Sequence, residues 1–66
     1  MRLTVNGEAA ELADGATVAE LVEVRAHDRR RVAVARNGEV VPRSRWEQTA
    51  LCEGDAVEVL SAVAGG

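Results

Sequence analysis

Over the first five residues apolar and polar positions alternate, with Met1, Leu3 and Val5 on one face and Arg2 and Thr4 on the other, the period of a half-buried strand. Asn6-Gly7 follows, a dipeptide that accepts positive φ at both central positions of a two-residue turn, so Glu8 to Leu12 is predicted to return as the second strand of a hairpin. Asp14-Gly15 marks its end. Thr17 stands three residues before Glu20, the spacing at which each side chain satisfies the other's free backbone N–H at a helix start. Val18, Leu21, Val22 and Arg25 then share one helical stripe, while Glu20 and Glu23 lie off it. Only about two turns are available, fewer than the ~12 to 15 residues an isolated helix needs to be even marginal. Packing on the sheet has to hold this helix, which makes Leu21 one of the most sensitive positions.

Ala26 to Arg31 is polar and carries Arg29, Arg30 and Arg31 in a row, which predicts a solvated connection. A second strand–turn–strand signal follows: Val32 to Arg36, Asn37-Gly38, then Glu39 to Val41, with Pro42 closing the strand because it has no N–H to donate. Arg43 to Thr49 is expected to be irregular or a single helical turn around Trp46. Gly54-Asp55 turns the chain into a last strand over Ala56 to Val63, where Val57 and Val59 flank Glu58. Hairpin, helix, hairpin, crossover and last strand make an α+β domain of order ββαββ, with four to five strands in a mixed sheet and one main helix. The β-grasp arrangement closes such a set compactly, with the last strand parallel to the first at the sheet centre. Residues 1–63 are read as the domain and 64–66 as a flexible tail.

Composition narrows the function. Sixty-six residues make at most one small domain. Its apolar set rests on Ala, Val and five Leu, with a single Trp and no Ile, Phe or Tyr, so the core must be thin. A formal charge of −3 argues against nucleic acid as a partner. One cysteine rules out an intramolecular disulfide and a cysteine-built metal or iron–sulfur site within this chain. The absence of staples points to the cytoplasm, and no apolar run suggests a membrane span or a leader.

The informative segment is Val63-Ala64-Gly65-Gly66. A glycine pair has no side chains to obstruct a narrow channel, so it suits the presentation of a terminal carboxylate to another protein's active site. A carboxylate is a poor electrophile and must first be activated, for example as an acyl-adenylate made from ATP by a separate enzyme. Sulfide or persulfide would then convert it to a thiocarboxylate, whereas an amine would give a conjugate.

Asn6, Thr17-Val18 with Glu20-Leu21-Val22, Asn37 with Val41-Pro42-Arg43 and Trp46, Gly54-Asp55, and the Val63-Ala64-Gly65-Gly66 end together resemble the ThiS family, the ubiquitin-like sulfur carriers of thiamine biosynthesis. The resemblance spans essentially the whole chain. It implies a β-grasp fold and a carrier that is not itself an enzyme. Gly66 would be adenylated by an E1-like enzyme of the ThiF type, which uses ATP, and thiocarboxylated with sulfur from a cysteine desulfurase relay. Thiazole synthase of the ThiG type would take the sulfur. Gly65 and Ala64 would present the terminus, and Pro42, Arg43 and Trp46 are possible partner contacts. The Arg29 to Arg31 run and the Phe-free core depart from the family pattern.

Other residues support blander readings. Cys52 is a candidate persulfide or thioester partner, but a lone cysteine beside Glu53 is read as structural. His27 next to Asp28 has no nucleophile near it in sequence and reads as a solvated loop residue. Arg29 to Arg31 is either a solvated run or a contact for an acidic patch on an activating enzyme. Trp46 is read as a lid on the small core in preference to an exposed anchor, and Pro42-Arg43 as a turn element. No cluster suggests a metal site. The competing functions are a molybdopterin-synthase-type sulfur carrier, a ubiquitin-like protein modifier, and an interaction module with a dispensable tail.

Overall fold

The computed structural model describes residues 1–26 and 31–61. Strand β1 (Arg2–Val5) and strand β2 (Glu8–Glu11) form the first hairpin, helix α1 (Val18–Arg25) follows, and β3 (Val32–Arg36) and β4 (Glu39–Val41) form the second hairpin. A 3₁₀ segment (Arg43–Gln48) leads to β5 (Ala56–Ser61). The crossover around Trp46 is therefore helical over six residues, longer than the single turn expected. All five strands lie in one sheet of order β2-β1-β5-β3-β4, and with the fifth strand counted the element order is ββαβββ, one strand more than the expected ββαββ. β5 runs parallel to β1 and antiparallel to β3, so the last strand does occupy the sheet centre. The expected boundary at residue 63 and the 64–66 tail lie outside the described residues, as do His27, Asp28, Arg29 and Arg30.

Both hairpins turn on an Asn-Gly pair with positive φ at each position: 53° and 82° at Asn6 and Gly7, 52° and 84° at Asn37 and Gly38. Both turns match the right-handed strand twist, and asparagine and glycine reach these conformations at low cost. α1 starts on the expected box, with Thr17 N donating to Glu20 Oε1 at 2.9 Å and Glu20 N to Thr17 Oγ1 at 3.3 Å. Its N-terminus is tied to the segment before β5, since Val18 N donates to the Thr49 carbonyl and Leu51 N to that of Ala16.

The helix buries Val18, Ala19, Leu21 and Val22 against Leu3, Val5, Val34, Val57 and Val59, with Trp46 and Leu51 closing the open end. Arg25, assigned to the buried stripe by periodicity, is exposed; Ala19 takes the fourth buried place. A long charged side chain at the last turn reaches solvent easily, and a small residue lets the helix approach the sheet.

Candidate functional site

β5 alternates as far as Leu60, with Val57 and Val59 buried and Ala56, Glu58 and Leu60 facing solvent, and Ser61 is exposed as well. Its final described residue, Ser61, pairs with Val32 at the start of β3. The candidate tail is thus rooted at one end of the central strand. The predicted tail residues Ala64, Gly65 and Gly66 lie outside the described residues.

Two asparagines grip β5 from opposite sides. Beyond the pairing of Val5 with Val57, Asn6 N donates to the Val57 carbonyl at 2.8 Å, and the Asn6 carboxamide accepts from Val59 N at 2.9 Å and donates to Val59 O at 3.1 Å. On the other side Asn37 N donates to the Ala56 carbonyl at 2.7 Å and Asn37 Oδ1 accepts from Ala56 N at 2.9 Å.

At the start of β5 lies Asp55, a carboxylate with 6% exposure in the apolar interior's margin. It accepts from Cys52 N and Arg36 Nε, both at 2.8 Å, and from Asn37 Nδ2 at 3.0 Å. Burial pushes its carboxyl up, but the hydrogen bonds from the Cys52 backbone, Asn37 and Arg36, with the guanidinium charge, outweigh that and hold it below the ordinary value. Sequence reading missed this residue. Gly54-Asp55 looked like turn punctuation, and only the joint presence of Asn37 and Arg36 at the turn facing it hints at a buried acid.

Trp46 is buried, and its Nε1 donates to the Val41 carbonyl at 2.9 Å. The ring is the expected core lid, and its placement among partner contacts is corrected: 2% exposure leaves no ring face for another protein. Pro42 and Arg43 are exposed, with the Arg43 guanidinium 5.5 Å from the Trp46 ring centroid, a cation–π distance. Cys52 is also corrected, because its side chain is exposed and does not pack in the core. Its contribution to the fold is its backbone N–H, and its thiol lies 3.7 Å from an Arg36 nitrogen. Arg31, the described member of the arginine run, is exposed.

The sheet face opposite the helix carries an apolar row that periodicity alone could not name. Leu60 pairs with Ala33 and Val40 with Ala35, and Leu60 and Val40 are 63% and 76% exposed. An open hollow of about 490 Å³ beside Arg36, Glu39, Pro42 and Arg45 lies by the second turn, away from the root of the tail. Among the described residues no three His, Cys, Asp or Glu side chains gather to hold a metal ion, and no helix is long and apolar enough to cross a membrane. The arrangement offers a central strand paired on both edges and an exposed apolar sheet face.

Comparison with known proteins agrees with that architecture. The model of the ThiS family matches residues 3–66. The chain is 35% identical to the sulfur carrier protein ThiS of Escherichia coli, with all of both chains covered. It is 39% identical over 66 residues to a thiazole synthase of Paramagnetospirillum magneticum, of whose length it spans only 20%. The crystal structure of the thiamine biosynthesis protein ThiS from Geobacter metallireducens superposes with a TM-score of 0.85 at 38% identity, covering all of both chains. Its solution structure gives 0.82 at 38% identity, covering all of this chain and 88% of that one.

Proposed function

Because this chain belongs to the ThiS family, we propose that it carries sulfur for thiazole formation in thiamine biosynthesis as a thiocarboxylate on Gly66. The observation that carries the proposal is the match to the Escherichia coli carrier over all of both chains, the Gly65-Gly66 pair included. An oxygen of the Gly66 carboxylate attacks the α-phosphorus of ATP on an E1-like enzyme of the ThiF type and expels pyrophosphate. Sulfide attacks the resulting acyl-adenylate at its carbonyl carbon and expels AMP, leaving the thiocarboxylate. A persulfide from a cysteine desulfurase relay gives an acyl disulfide instead, from which a second thiol releases the same product. A ThiG-type thiazole synthase then takes the sulfur and returns the carboxylate form. The similarity to a thiazole synthase of which this chain spans a fifth supports that acceptor. The chain supplies no catalytic group to these steps; it is a co-substrate whose rigid part is recognised and whose tail reacts.

Intact-protein mass spectrometry after incubation with ATP, a ThiF-type enzyme and sulfide tests the proposal. The expected result is a gain equal to exchange of one oxygen for sulfur, abolished by deletion of Gly66 while the melting temperature stays unchanged. A mass unchanged under these conditions, or covalent adducts to other proteins in its place, would overturn it in favour of a binding module or a modifier.

A further inference from the structure

We infer that Asn6 is a positioning residue for the tail, a role that rests on the carrier reading above. β5 is longer than its parallel neighbour. β1 ends at Val5, opposite Val57, while β5 continues to Ser61. On the β3 side its pairing persists to Ser61. On the β1 side the backbone ladder ends where Asn6 N meets the Val57 carbonyl, and Val59 would otherwise present an N–H and a C=O with no strand beside them.

The Asn6 carboxamide takes the place of the missing peptide group, accepting from Val59 N and donating to Val59 O. This needs a donor and an acceptor held side by side at amide spacing, on a stem short enough to leave from the turn itself. Aspartate supplies only the acceptor, and glutamine is one methylene too long. It also needs a residue that tolerates a φ of 53°, since the backbone is already turning away into the hairpin. One residue therefore turns the main chain back and extends the ladder with its side chain.

Val59 is seven residues before Gly66. Seven residues span at most about 25 Å, so a small change of direction at Val59 moves the reachable volume of the terminus by many ångströms. A β5 held on both edges as far as Val59 has its direction fixed at Leu60 and Ser61 relative to the apolar face that carries Leu60. Held on the β3 edge alone, it can twist away from that direction, and the terminus then meets a partner's channel less often in the correct orientation. Asn37 makes a similar number of bonds at the other end of β5, where it does not affect the launch direction, and so provides the internal control.

The test compares the full-length parent with Asn6→Gly and Asn37→Gly, both of which keep a residue that accepts positive φ. ATP–pyrophosphate exchange by the ThiF-type enzyme of the same organism is measured against carrier concentration, below the melting range of every variant. Asn6→Gly is expected to raise KM for the carrier about three- to tenfold with kcat unchanged, the size of effect one or two hydrogen bonds can produce, and to speed amide exchange at Val59 by about tenfold. Asn6→Asp, which places a carboxylate oxygen against the Val59 carbonyl where the amide donated, is expected to raise KM at least as far as Asn6→Gly. Asn37→Gly leaves KM at the parent value. A KM unchanged by Asn6→Gly, or raised equally by Asn37→Gly, overturns the positioning role while leaving the carrier reading intact. A parent chain that supports no exchange overturns the carrier reading, and this role with it.

Discussion

The two Asn-Gly turns share a backbone, with φ values that agree within a few degrees at both positions, yet their asparagines do different jobs. Asn6 spends both ends of its carboxamide on the Val59 peptide groups, so its grip is neutral and self-contained. Asn37 divides its carboxamide between Ala56 N and the Asp55 carboxylate, which also binds Arg36 and Cys52 N. The same turn chemistry thus gives one joint that is independent of charge and another that belongs to an ionic network. A local motif specifies the bend, and what the side chain then meets across the sheet decides its energetic character.

The largest expected effect comes from breaking the ionic joint. Asp55→Ala leaves three donors without their acceptor, one of them the Arg36 guanidinium, and is expected to cost about 2 to 4 kcal/mol, read as a lower urea midpoint with unchanged slope. The same network makes stability depend on acid. Asp55 has its carboxyl lowered from 3.8 on folding, so its contribution is complete above that value and is lost as pH falls through the lower folded one. Acid titration of the parent and of Asn6→Gly should show this loss below pH about 4, and Asp55→Asn should lack it.

A double-mutant cycle sharpens the contrast between the joints. Asn37→Gly and Asp55→Asn should be coupled by about 1 kcal/mol, while Asn6→Gly and Asp55→Asn should be additive within about 0.5 kcal/mol. Additivity in both cycles would mean that Asn37 holds only the β5 backbone. The smallest effect is expected at Cys52→Ser, within about 0.5 kcal/mol in the same denaturation assay, because the thiol is exposed and the N–H that reaches Asp55 is retained.

What could be read from the sequence was what neighbouring residues decide. Asn6-Gly7 and Asn37-Gly38 specify their turns locally, and Thr17 with Glu20 specifies the helix start. Val57 and Val59 declare their buried face by alternation. The rest depends on groups brought together from far along the chain. Asp55 becomes a buried acid because Arg36 and Asn37 arrive from nineteen and eighteen positions away, and Asn6 finds Val59 across fifty-three. The exposure of Cys52 and of Arg25 follows from which flank of each short element meets the sheet, which a two-turn helix or an irregular segment is too short to encode by period. For the candidate site, the Gly65-Gly66 signal and the family resemblance were legible, whereas the Asn6 contact with Val59 was not, since it is one side chain imitating a backbone group.

The central place of β5 also orders events during synthesis. Until residues 56–61 are made, no strand joins the two hairpins into one sheet, and a two-stranded hairpin by itself is marginal in water. Before its last strand is made the chain has no single sheet to close, and its core lacks Val57 and Val59 at the centre. Folding therefore waits for that strand, and a polypeptide interrupted upstream of it stays open to proteolysis. Every copy that has closed this sheet therefore already contains the chain through residue 61.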